Sequence, residues 1–292
     1  MRLVQFFLDT NALRVGLWQE DGIRDITLPD QGLTNTNAYL GRAVDQKKSL
    51  AHVVAEACQG ENLPLLARES VRLTLPFFPD EVWGCGVTYK KSMEFRAEEL
   101  SEPENIYERV YKAERPETFF KATTARCVGP GEAIGKRADS IFTAPEPELA
   151  AVVGPTGEVL GYTLANDVSA WDIERANALY LPQSKIYAKC CALGPFLVSA
   201  DAVRDPYTIT MSCRIIRQGK VLFTGEATTA NLKRTIPELI AAVQRSNVLP
   251  TVTVILTGTG IIVPEDAALA VGDVVEITAN GLGTLINTVE EV

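Results

Sequence analysis

The feature that most constrains the fold is a turn near the centre of the chain, at residues 154–157 (Gly-Pro-Thr-Gly). Glycine and proline in this arrangement favour a tight reversal of the chain. The flanking segments, residues 148–153 and 158–164, are rich in the apolar and β-branched side chains that suit strands. The sequence therefore predicts an antiparallel β-hairpin in the middle of the chain.

Short segments with strand-like patterns dominate the rest of the chain. The predicted strands cover residues 3–8, 12–18, 82–87, 118–121, 141–143, 207–217, 221–224, 252–256, 274–277 and 283–289. Helices are predicted over residues 44–58, 92–111 and 235–244. A Pro-Phe-Phe-Pro segment at 76–79 is expected to link a small N-terminal domain, residues 1–75, to a main domain, residues 80–292. The predicted fold class is α+β and mostly β.

Composition argues against several classes of protein. The chain has 292 residues, of which 46% are hydrophobic and 22% charged, as in an ordinary globular protein. Its 37 acidic residues outnumber the 28 basic ones and give a net charge of −9, which disfavours nucleic acid as a partner. No stretch reaches the ~18 apolar residues of a membrane span, and the N-terminus lacks the apolar core of a secretion signal. We therefore expect a cytoplasmic protein with reduced cysteines and no membrane partner.

The chain contains one histidine, His52, in a segment predicted to be helical. Zinc sites of the HExxH type and multi-histidine iron sites are thereby excluded. A Ser-His-Asp triad would depend on His52 alone, and a surface or packing histidine is the simpler interpretation. The six cysteines form no CxxC pair, and the sequence lacks the motifs of P-loops, Rossmann folds and nucleophile elbows. The chemistry must therefore come from other side chains.

Three carboxylates near the hairpin are the strongest candidates for functional residues. Glu146 and Glu148 stand two residues apart, so an extended chain places both side chains on one face. A hairpin centred on the Pro-Thr bond of the turn pairs Glu146 with Ala165, and Asp167 then falls on the same face, diagonal to Glu146. A three-residue loop would move Asp167 to the other face. Carboxylates this close repel each other unless a cation neutralises them, and oxygen ligands favour Mg²⁺, Mn²⁺ or Ca²⁺. A solvated acidic face is the alternative.

Ordered motifs extend from the hairpin to the C-terminal region. They are residues 146–150 (EPELA), 161–170 (GYTLANDVSA), 183–185 (QSK), 194–195 (GP), 257–259 (TGT), 272–277 (GDVVEI) and 281–283 (GLG). Together they resemble the fumarylacetoacetate hydrolase family over residues 80–292. The resemblance implies a mixed β-roll with a small N-terminal domain, and Mg²⁺ or a similar ion held by Glu146, Glu148 and Asp167. It also implies a homo-oligomer, either a dimer or a tetramer.

A second set of motifs narrows the resemblance within that family. It comprises residues 115–117 (RPE), 119–123 (FFKAT), 126–129 (RCVG) and 179–188 (LYLPQSKIYA). These resemble the sugar-acid dehydratases, which implies conversion of a 2-keto-3-deoxy-D-pentonate (2-dehydro-3-deoxy-D-arabinonate) to 2,5-dioxopentanoate in oxidative pentose degradation. The C–C bond hydrolases of the family carry a His–Glu pair, whose positions here hold Ser92 and Phe95. Trp171 stands where the family usually has arginine.

The resemblance also implies roles for side chains around the expected metal. Lys185 is expected beside the keto or enolate oxygen, as a cation or as a base, and Glu117 is the candidate acid–base residue. A Schiff base on Lys185 is less favoured, because a metal would already do the electrophilic work. The predicted substrate contacts are Thr259 with the backbone of Gly258, which would hold the carboxylate, together with Gln183 and Tyr89.

Two other functions stay open at the level of sequence. The first is another reaction at the same site: C–C hydrolysis of an acylpyruvate or diketo acid, or isomerisation or decarboxylation of a keto acid. The second is a non-catalytic protein that binds a metal and a keto acid, which the missing His–Glu pair allows. Turnover of a small 2-keto acid would separate the enzymes from the binding protein.

Overall fold

Strands are the main secondary structure of the computed structural model, which describes residues 1–8, 11–98 and 106–292. The strands are β1 (Arg2–Phe7), β2 (Leu13–Gln19), β3 (Gly22–Asp25), β4 (Leu65–Leu66), β5 (Arg72–Leu73), β6 (Glu81–Gly86), β7 (Glu117–Ala122), β8 (Cys127–Val128), β9 (Ala133–Lys136), β10 (Thr143–Ala144), β11 (Pro147–Val153), β12 (Val159–Asp167), β13 (Ser169–Ala170), β14 (Cys191–Ser199), β15 (Thr210–Arg217), β16 (Lys220–Thr228), β17 (Thr253–Leu256), β18 (Val274–Ala279) and β19 (Gly283–Glu291). The helices are α1 (Thr36–Gln46), α2 (Leu50–Ala57), α3 (Lys90–Glu98), α4 (Ile106–Lys112), α5 (Trp171–Ala176), α6 (Leu181–Lys185) and α7 (Ile236–Gln244).

Most strands belong to one large mixed sheet. Ten of its twelve strands run in the order β4-β3-β2-β1-β14-β12-β11-β17-β6-β7, while β5 pairs with β1 and β8 with β14. A second sheet has the order β16-β15-β18-β19-β9. On β11, Leu149 and Ala151 are buried in a cluster that contains the second sheet, whereas Ala150 and Val152 are buried in one that contains α1 and α2. The large sheet is therefore covered on both faces, and the predicted α+β, mostly β class is confirmed.

The central hairpin is β11 and β12. A five-residue loop, residues 154–158, joins the two strands. A β-bulge at Leu160 then adds one residue to β12. The odd loop alone would turn Asp167 to the opposite face, and the extra residue at the bulge restores it.

The register of the hairpin differs from the predicted one by two residues. Glu148 faces Ala165, and the backbone N–H of Asp167 donates to the carbonyl oxygen of Glu146 at 2.9 Å. The predicted pairing of Glu146 with Ala165 is therefore wrong, because the loop is longer than the Gly-Pro-Thr-Gly turn and is followed by the bulge. A shift of two residues preserves the side-chain alternation, so the three carboxylates still share one face.

The N-terminal region shares the large sheet with the rest of the chain. β1 pairs with β14, with Arg2 opposite Val198 and Leu3 opposite Leu197. Residues 76–79, the expected linker, have no regular secondary structure, and Phe77 is fully buried. The division into domains of residues 1–75 and 80–292 stays a prediction, and hydrogen bonds of one sheet cross it.

The helix predicted over residues 44–58 is wrong as a single element. α1 ends at Gln46, because the next residue, Lys47, has a left-handed φ of 53° that is incompatible with a continuing helix. Ser49 then begins α2, because its side chain accepts a hydrogen bond from the backbone N–H of His52. His52 itself lies exposed on α2.

Two other elements also depart from the predictions. The helix predicted over residues 92–111 corresponds to α3 and α4, and residues 99–105 lie outside the described chain. β14 was not predicted as a strand, although all nine of its residues are buried. Gly194 and Pro195 interrupt its pattern and are both unfavourable within a strand.

None of the helices in the described ranges is both long enough and apolar enough to cross a membrane.

Candidate active site

Three carboxylates meet at the end of the central hairpin. Glu146 directly precedes β11, Glu148 is the second residue of that strand, and Asp167 ends β12. One carboxylate oxygen of each residue lies within 4.8 Å of the other two, and all three residues are buried. The structure thus brings together the three residues that the sequence singled out.

Neutral N–H groups hold two of these carboxylates. The indole N–H of Trp171 donates to Oε1 of Glu146 at 2.6 Å. The backbone N–H of Gly258 donates to Oε2 of Glu148 at 2.5 Å. Hydrogen bonds to a carboxylate fix its orientation and offset part of the cost of its burial.

Two buried lysines add positive charge to the cluster. Nζ of Lys121 lies 2.5 Å from Oδ1 of Asp167. Nζ of Lys185 lies 3.0 Å from Oε1 of Glu146 and 3.3 Å from Oδ2 of Asp167, and it donates to Oγ of Ser169 at 2.6 Å. Three carboxylates and two ammonium groups carry a formal charge of −1, which a divalent cation would change to +1.

Burial and the crowding of negative charge both raise the pKa of Glu148. Burial raises the pKa of Glu148 well above its usual range, and the charges of Asp167 and Glu146 raise it further. The N–H of Gly258 and the charge of Lys185 act in the opposite direction. A hard cation would relieve this repulsion, and a set of carboxylate oxygens fits Mg²⁺, Mn²⁺ or Ca²⁺.

The carboxylates and Lys185 line a cleft. Other side chains that line it include those of Ser92, Glu117, Phe119, Leu181 and Thr259. They come from α3, β7, α6 and the loop that follows β17. The cleft therefore combines a metal-binding wall with an acid–base candidate and an apolar side.

Two glycines of β6 let side chains of β7 reach the cleft. Glu117 pairs with Gly86, and a Cβ atom at Gly86 would lie 2.0 Å from Oε2 of Glu117. Phe119 pairs with Gly84, where a Cβ atom would lie 2.3 Å from Cζ of the ring. Both side chains thus lie directly over the backbone of β6, in space that any larger residue would fill.

A hydrogen bond joins the loops that follow β6 and β17. The two strands are parallel, so their carboxyl ends reach the same edge of the sheet. Oγ1 of Thr88 donates to the carbonyl oxygen of Thr257 at 2.7 Å. Gly258 has a φ of 90°, and a Cβ atom there would lie 1.9 Å from Oγ1 of Thr88, so only glycine fits. Val87 has a φ of 53°, which is strained for a β-branched residue.

Of the four predicted substrate contacts, Gly258 and Thr259 line the cleft. Thr259 lines the cleft, and its Oγ1 accepts a hydrogen bond from the N–H of Ile261 at 3.2 Å. Gly258 also lines the cleft, and its N–H donates to Glu148, a predicted metal ligand; its predicted contact with a substrate carboxylate stays a prediction.

Gln183 and Tyr89 lie outside the cleft lining. Gln183 is exposed, because α6 turns it away from the face that carries Lys185 two residues later. Tyr89 is buried, and its hydroxyl has no hydrogen-bond partner among the described residues. Its ring would lie 2.7 Å from a Cβ atom at Gly260. Burial raises the pKa of Tyr89 well above its usual range.

Two side chains that contact the carboxylates were not among the predicted site residues. Lys121 is fully buried and also donates to the carbonyl oxygen of Val168 at 2.8 Å. The sequence signal for it was a lone lysine in the otherwise uncharged segment 118–122, predicted in part as a strand. Trp171 was noted as a departure from the family pattern, but its hydrogen bond to Glu146 was not foreseen.

The structure describes one of the two side chains at the positions where the hydrolases carry the His–Glu pair. Ser92 is buried near the start of α3 and lines the cleft, where the hydrolases carry histidine. The side chain of Phe95 lies outside the part of the chain that the structure describes.

The fold and the carboxylate site together define the class of the protein. Residues 81–290 match the family model described as fumarylacetoacetate (FAA) hydrolase C-terminal. The chain belongs to the fumarylacetoacetate hydrolase family.

Relatives within the family are similar over most of their length. The 2-dehydro-3-deoxy-D-arabinonate dehydratase of Saccharolobus solfataricus is 48% identical over 224 residues, which cover 76% of this chain and 75% of the relative. A probable 2-keto-3-deoxyxylonate dehydratase of Haloferax volcanii is 41% identical over 268 residues, 92% of each chain. The solved structure of a 2-keto-3-deoxy-D-arabinonate dehydratase complexed with magnesium and 2,5-dioxopentanoate aligns with a TM-score of 0.83 at 38% identity, covering 100% of this chain and 99% of that one.

Proposed function

We propose that this protein is a Mg²⁺-dependent hydro-lyase that converts a 2-keto-3-deoxy-D-pentonate to 2,5-dioxopentanoate. The observation that carries the proposal is the buried cluster of Glu146, Glu148 and Asp167, which shares one cleft with Lys185 and Glu117. The dehydratases named above are 48% and 41% identical to this chain. The related structure that aligns over the whole chain holds magnesium and 2,5-dioxopentanoate.

The charge of the site suits a keto acid with one carboxylate. Glu146, Glu148 and Asp167 would hold Mg²⁺, and with Lys121 and Lys185 the loaded cluster would have a formal charge of +1. A 2-keto acid brings a charge of −1 and two oxygens, from its carboxylate and its ketone. When bound, Mg²⁺ acts as a Lewis acid that polarises the ketone and makes the C3 proton easier to remove.

Lys185 acts as a fixed cation in this proposal. Its three donor hydrogens match three acceptors, namely Glu146, Asp167 and Ser169 at 3.0, 3.3 and 2.6 Å. An uncharged amine would weaken its pairing with two buried carboxylates. These contacts favour the first of the two expected roles, in which a positive charge stabilises the negative charge that develops on the substrate's C2 oxygen.

Glu117 moves the proton. As a carboxylate it takes the proton from C3, and as the resulting acid it returns that proton to the C4 hydroxyl, which leaves as water with the C4–O electron pair. The product of this step has a C3=C4 double bond and a hydroxyl at C5. Transfer of one proton from C5 to C3 and of the hydroxyl proton to C4 then gives the aldehyde of 2,5-dioxopentanoate. Glu117 is suited to this work because its carboxyl crosses Gly86 into the cleft.

The same site contains no histidine in the position of the hydrolases' His–Glu pair, where Ser92 lies. A serine is not a general base at neutral pH, so activation of water for C–C bond hydrolysis lacks its usual group. Dehydration needs no such group, because the reaction releases water and does not consume it.

The direct test is a coupled assay on the purified protein. We expect Mg²⁺ and 2-keto-3-deoxy-D-pentonate to give 2,5-dioxopentanoate, followed through an NAD(P)⁺-dependent aldehyde dehydrogenase. Both EDTA and Glu148→Gln should abolish the product. Glu158→Gln, at the opposite end of the same hairpin, should retain activity and serves as the matched control.

Other outcomes would point to the alternatives. Cleavage of an acylpyruvate without dehydration of the pentonate would establish a hydrolase. Tight binding of 2-keto acids without turnover of any of them would establish a binding protein. The expected homo-oligomer, a dimer or a tetramer, stays a prediction that size-exclusion chromatography with light scattering would test.

A further inference from the structure

Besides Lys185, which donates to both Glu146 and Asp167, each carboxylate of the cluster has a donor of its own. Glu148 has a backbone N–H, and Asp167 has the ammonium group of Lys121. Glu146 has the indole N–H of Trp171. Only the third of these is a neutral side-chain donor, so it can be removed without changing the charge of the site or the backbone.

Glu146 is the carboxylate that most needs such a donor. It lies just outside β11, whereas Glu148 lies within the strand and Asp167 ends β12. Its backbone is anchored, because its N–H donates to Oδ1 of Asn166 at 3.0 Å and its carbonyl oxygen accepts from Asp167. Its side chain has three torsions, which the donors that bind the carboxylate restrain together with the buried surroundings.

Two donors converge on one oxygen of Glu146. Oε1 accepts from the indole of Trp171 at 2.6 Å and from Nζ of Lys185 at 3.0 Å. Donors from two separate elements, α5 and α6, therefore restrain this oxygen from two directions. A single ammonium group on a flexible stem would restrain it from only one.

The indole itself is held firmly. The backbone N–H of Trp171 donates to the carbonyl oxygen of Phe142 at 2.9 Å, and the two rings pack with centroids 5.3 Å apart. The guanidinium of Arg175 lies over both rings, 4.7 Å from that of Phe142 and 5.6 Å from that of Trp171. Trp171 is also buried, so its N–H is shielded from water that could replace its bond.

We infer that Trp171 is a positioning residue for the metal: its indole N–H orients Glu146 so that this carboxylate acts as a metal ligand. The inference rests on the metal site of the proposed function and not on the reaction. Partners of metal ligands typically change metal affinity about 10- to 100-fold when they are removed. We therefore expect loss of the indole N–H to weaken divalent-cation binding by about tenfold with the fold intact.

The test measures Mn²⁺ binding by the metal-free protein, by titration calorimetry and by the electron paramagnetic resonance of free Mn²⁺. Trp171→Phe keeps an aromatic ring and removes the N–H. The matched control is Trp83→Phe, which removes an indole–carboxylate bond to Glu81 of 2.9 Å outside the cleft lining. We expect the Kd for Mn²⁺ to rise about tenfold in Trp171→Phe and to stay within about twofold in Trp83→Phe.

A second substitution guards against a packing defect in Trp171→Phe. Replacement of Trp171 by 3-benzothienylalanine puts sulfur in place of the N–H and keeps the size of the ring system. It should reproduce the weaker Mn²⁺ binding while the melting temperature of the metal-free protein stays near that of the wild type.

The outcomes separate the two proposals. Folded variants at position 171 that bind Mn²⁺ as tightly as the wild type would overturn the positioning role. A wild-type protein that binds no Mn²⁺ would instead overturn the metal site. Normal metal binding by the wild type without pentonate turnover would count against the proposed reaction and leave the role of Trp171 intact.

Discussion

Gly86→Ala tests the proposed role of Glu117 without touching its carboxyl chemistry. The new Cβ atom would lie 2.0 Å from Oε2 and 2.7 Å from Cδ of Glu117, whereas ordinary contacts begin at 3.4 Å. The carboxyl group must therefore move by more than an ångström. A misplacement of about 1 Å can cost roughly 100-fold in rate, so we expect kcat/KM for the pentonate to fall by about that factor.

Other properties of this variant should change little. Gly86 is not among the glycines with positive φ, and the clash falls on the flexible end of a side chain, so the melting temperature should stay near that of the wild type. Mn²⁺ affinity should also be unchanged, because Glu117 is not part of the carboxylate cluster. The matched control is Gly41→Ala in α1, where the new Cβ atom meets nothing within 4 Å.

The coupled dehydrogenase assay measures kcat/KM for Gly86→Ala, Glu117→Gln and the double variant. If Gly86→Ala acts by displacing Glu117, the double variant should be no slower than Glu117→Gln alone, because the two changes remove one function. Near-wild-type activity in Gly86→Ala would refute the assignment of Glu117. Losses that multiply in the double variant would refute the displacement argument.

Two further predictions concern the buried charges. Lys121→Met should lower the free energy of unfolding by about 3 kcal/mol because it deprives buried Asp167 of a partner. Urea denaturation measures this against the control Lys90→Met, which removes an exposed pair with Glu94 and should change stability little. The folded state holds the proton of Glu148 more tightly than the unfolded chain does, so its contribution to stability is full below the ordinary carboxyl pKa and is lost as the pH rises through the raised one. Addition of Mg²⁺ to the metal-free protein should therefore raise its melting temperature more at higher pH. A rise that does not depend on pH would contradict this reasoning.

The carboxylate cluster could be predicted from sequence because it depends on local alternation. Glu146 and Glu148 share a face in any extended chain, and Asp167 joins them if the connection has the right parity. The predicted register was off by two residues, yet the parity was right. A five-residue loop and the bulge at Leu160 together have the same effect on the side-chain alternation as an even loop. Neither the loop length nor the bulge was evident in the pattern of residues.

The groups that hold the carboxylates could not be found in this way, because they come from distant parts of the chain. Gly258 reaches Glu148 only because β17 lies next to β11 and runs parallel to β6. Lys121 is on β7 at the edge of the sheet and contacts Asp167 across it. Such contacts depend on the order of the strands, which propensity and periodicity do not contain. The exposure of Gln183 outside the cleft lining was not evident for a related reason, since a short motif does not say which face of α6 a residue occupies.

The pairing of β1 with β14 affects how the protein can be divided. The matched family region begins at residue 81, which suggests that the preceding residues could be removed. Removal of β1 would leave β14 unpaired at Leu197 and Val198, whereas β8 would still pair with Cys191 and Ala192. A long apolar strand with unpaired N–H and C=O groups adds strands from other molecules and promotes aggregation. The N-terminal region therefore covers part of the edge of β14, next to the strand that carries Asp167, and its removal would favour aggregation through that edge.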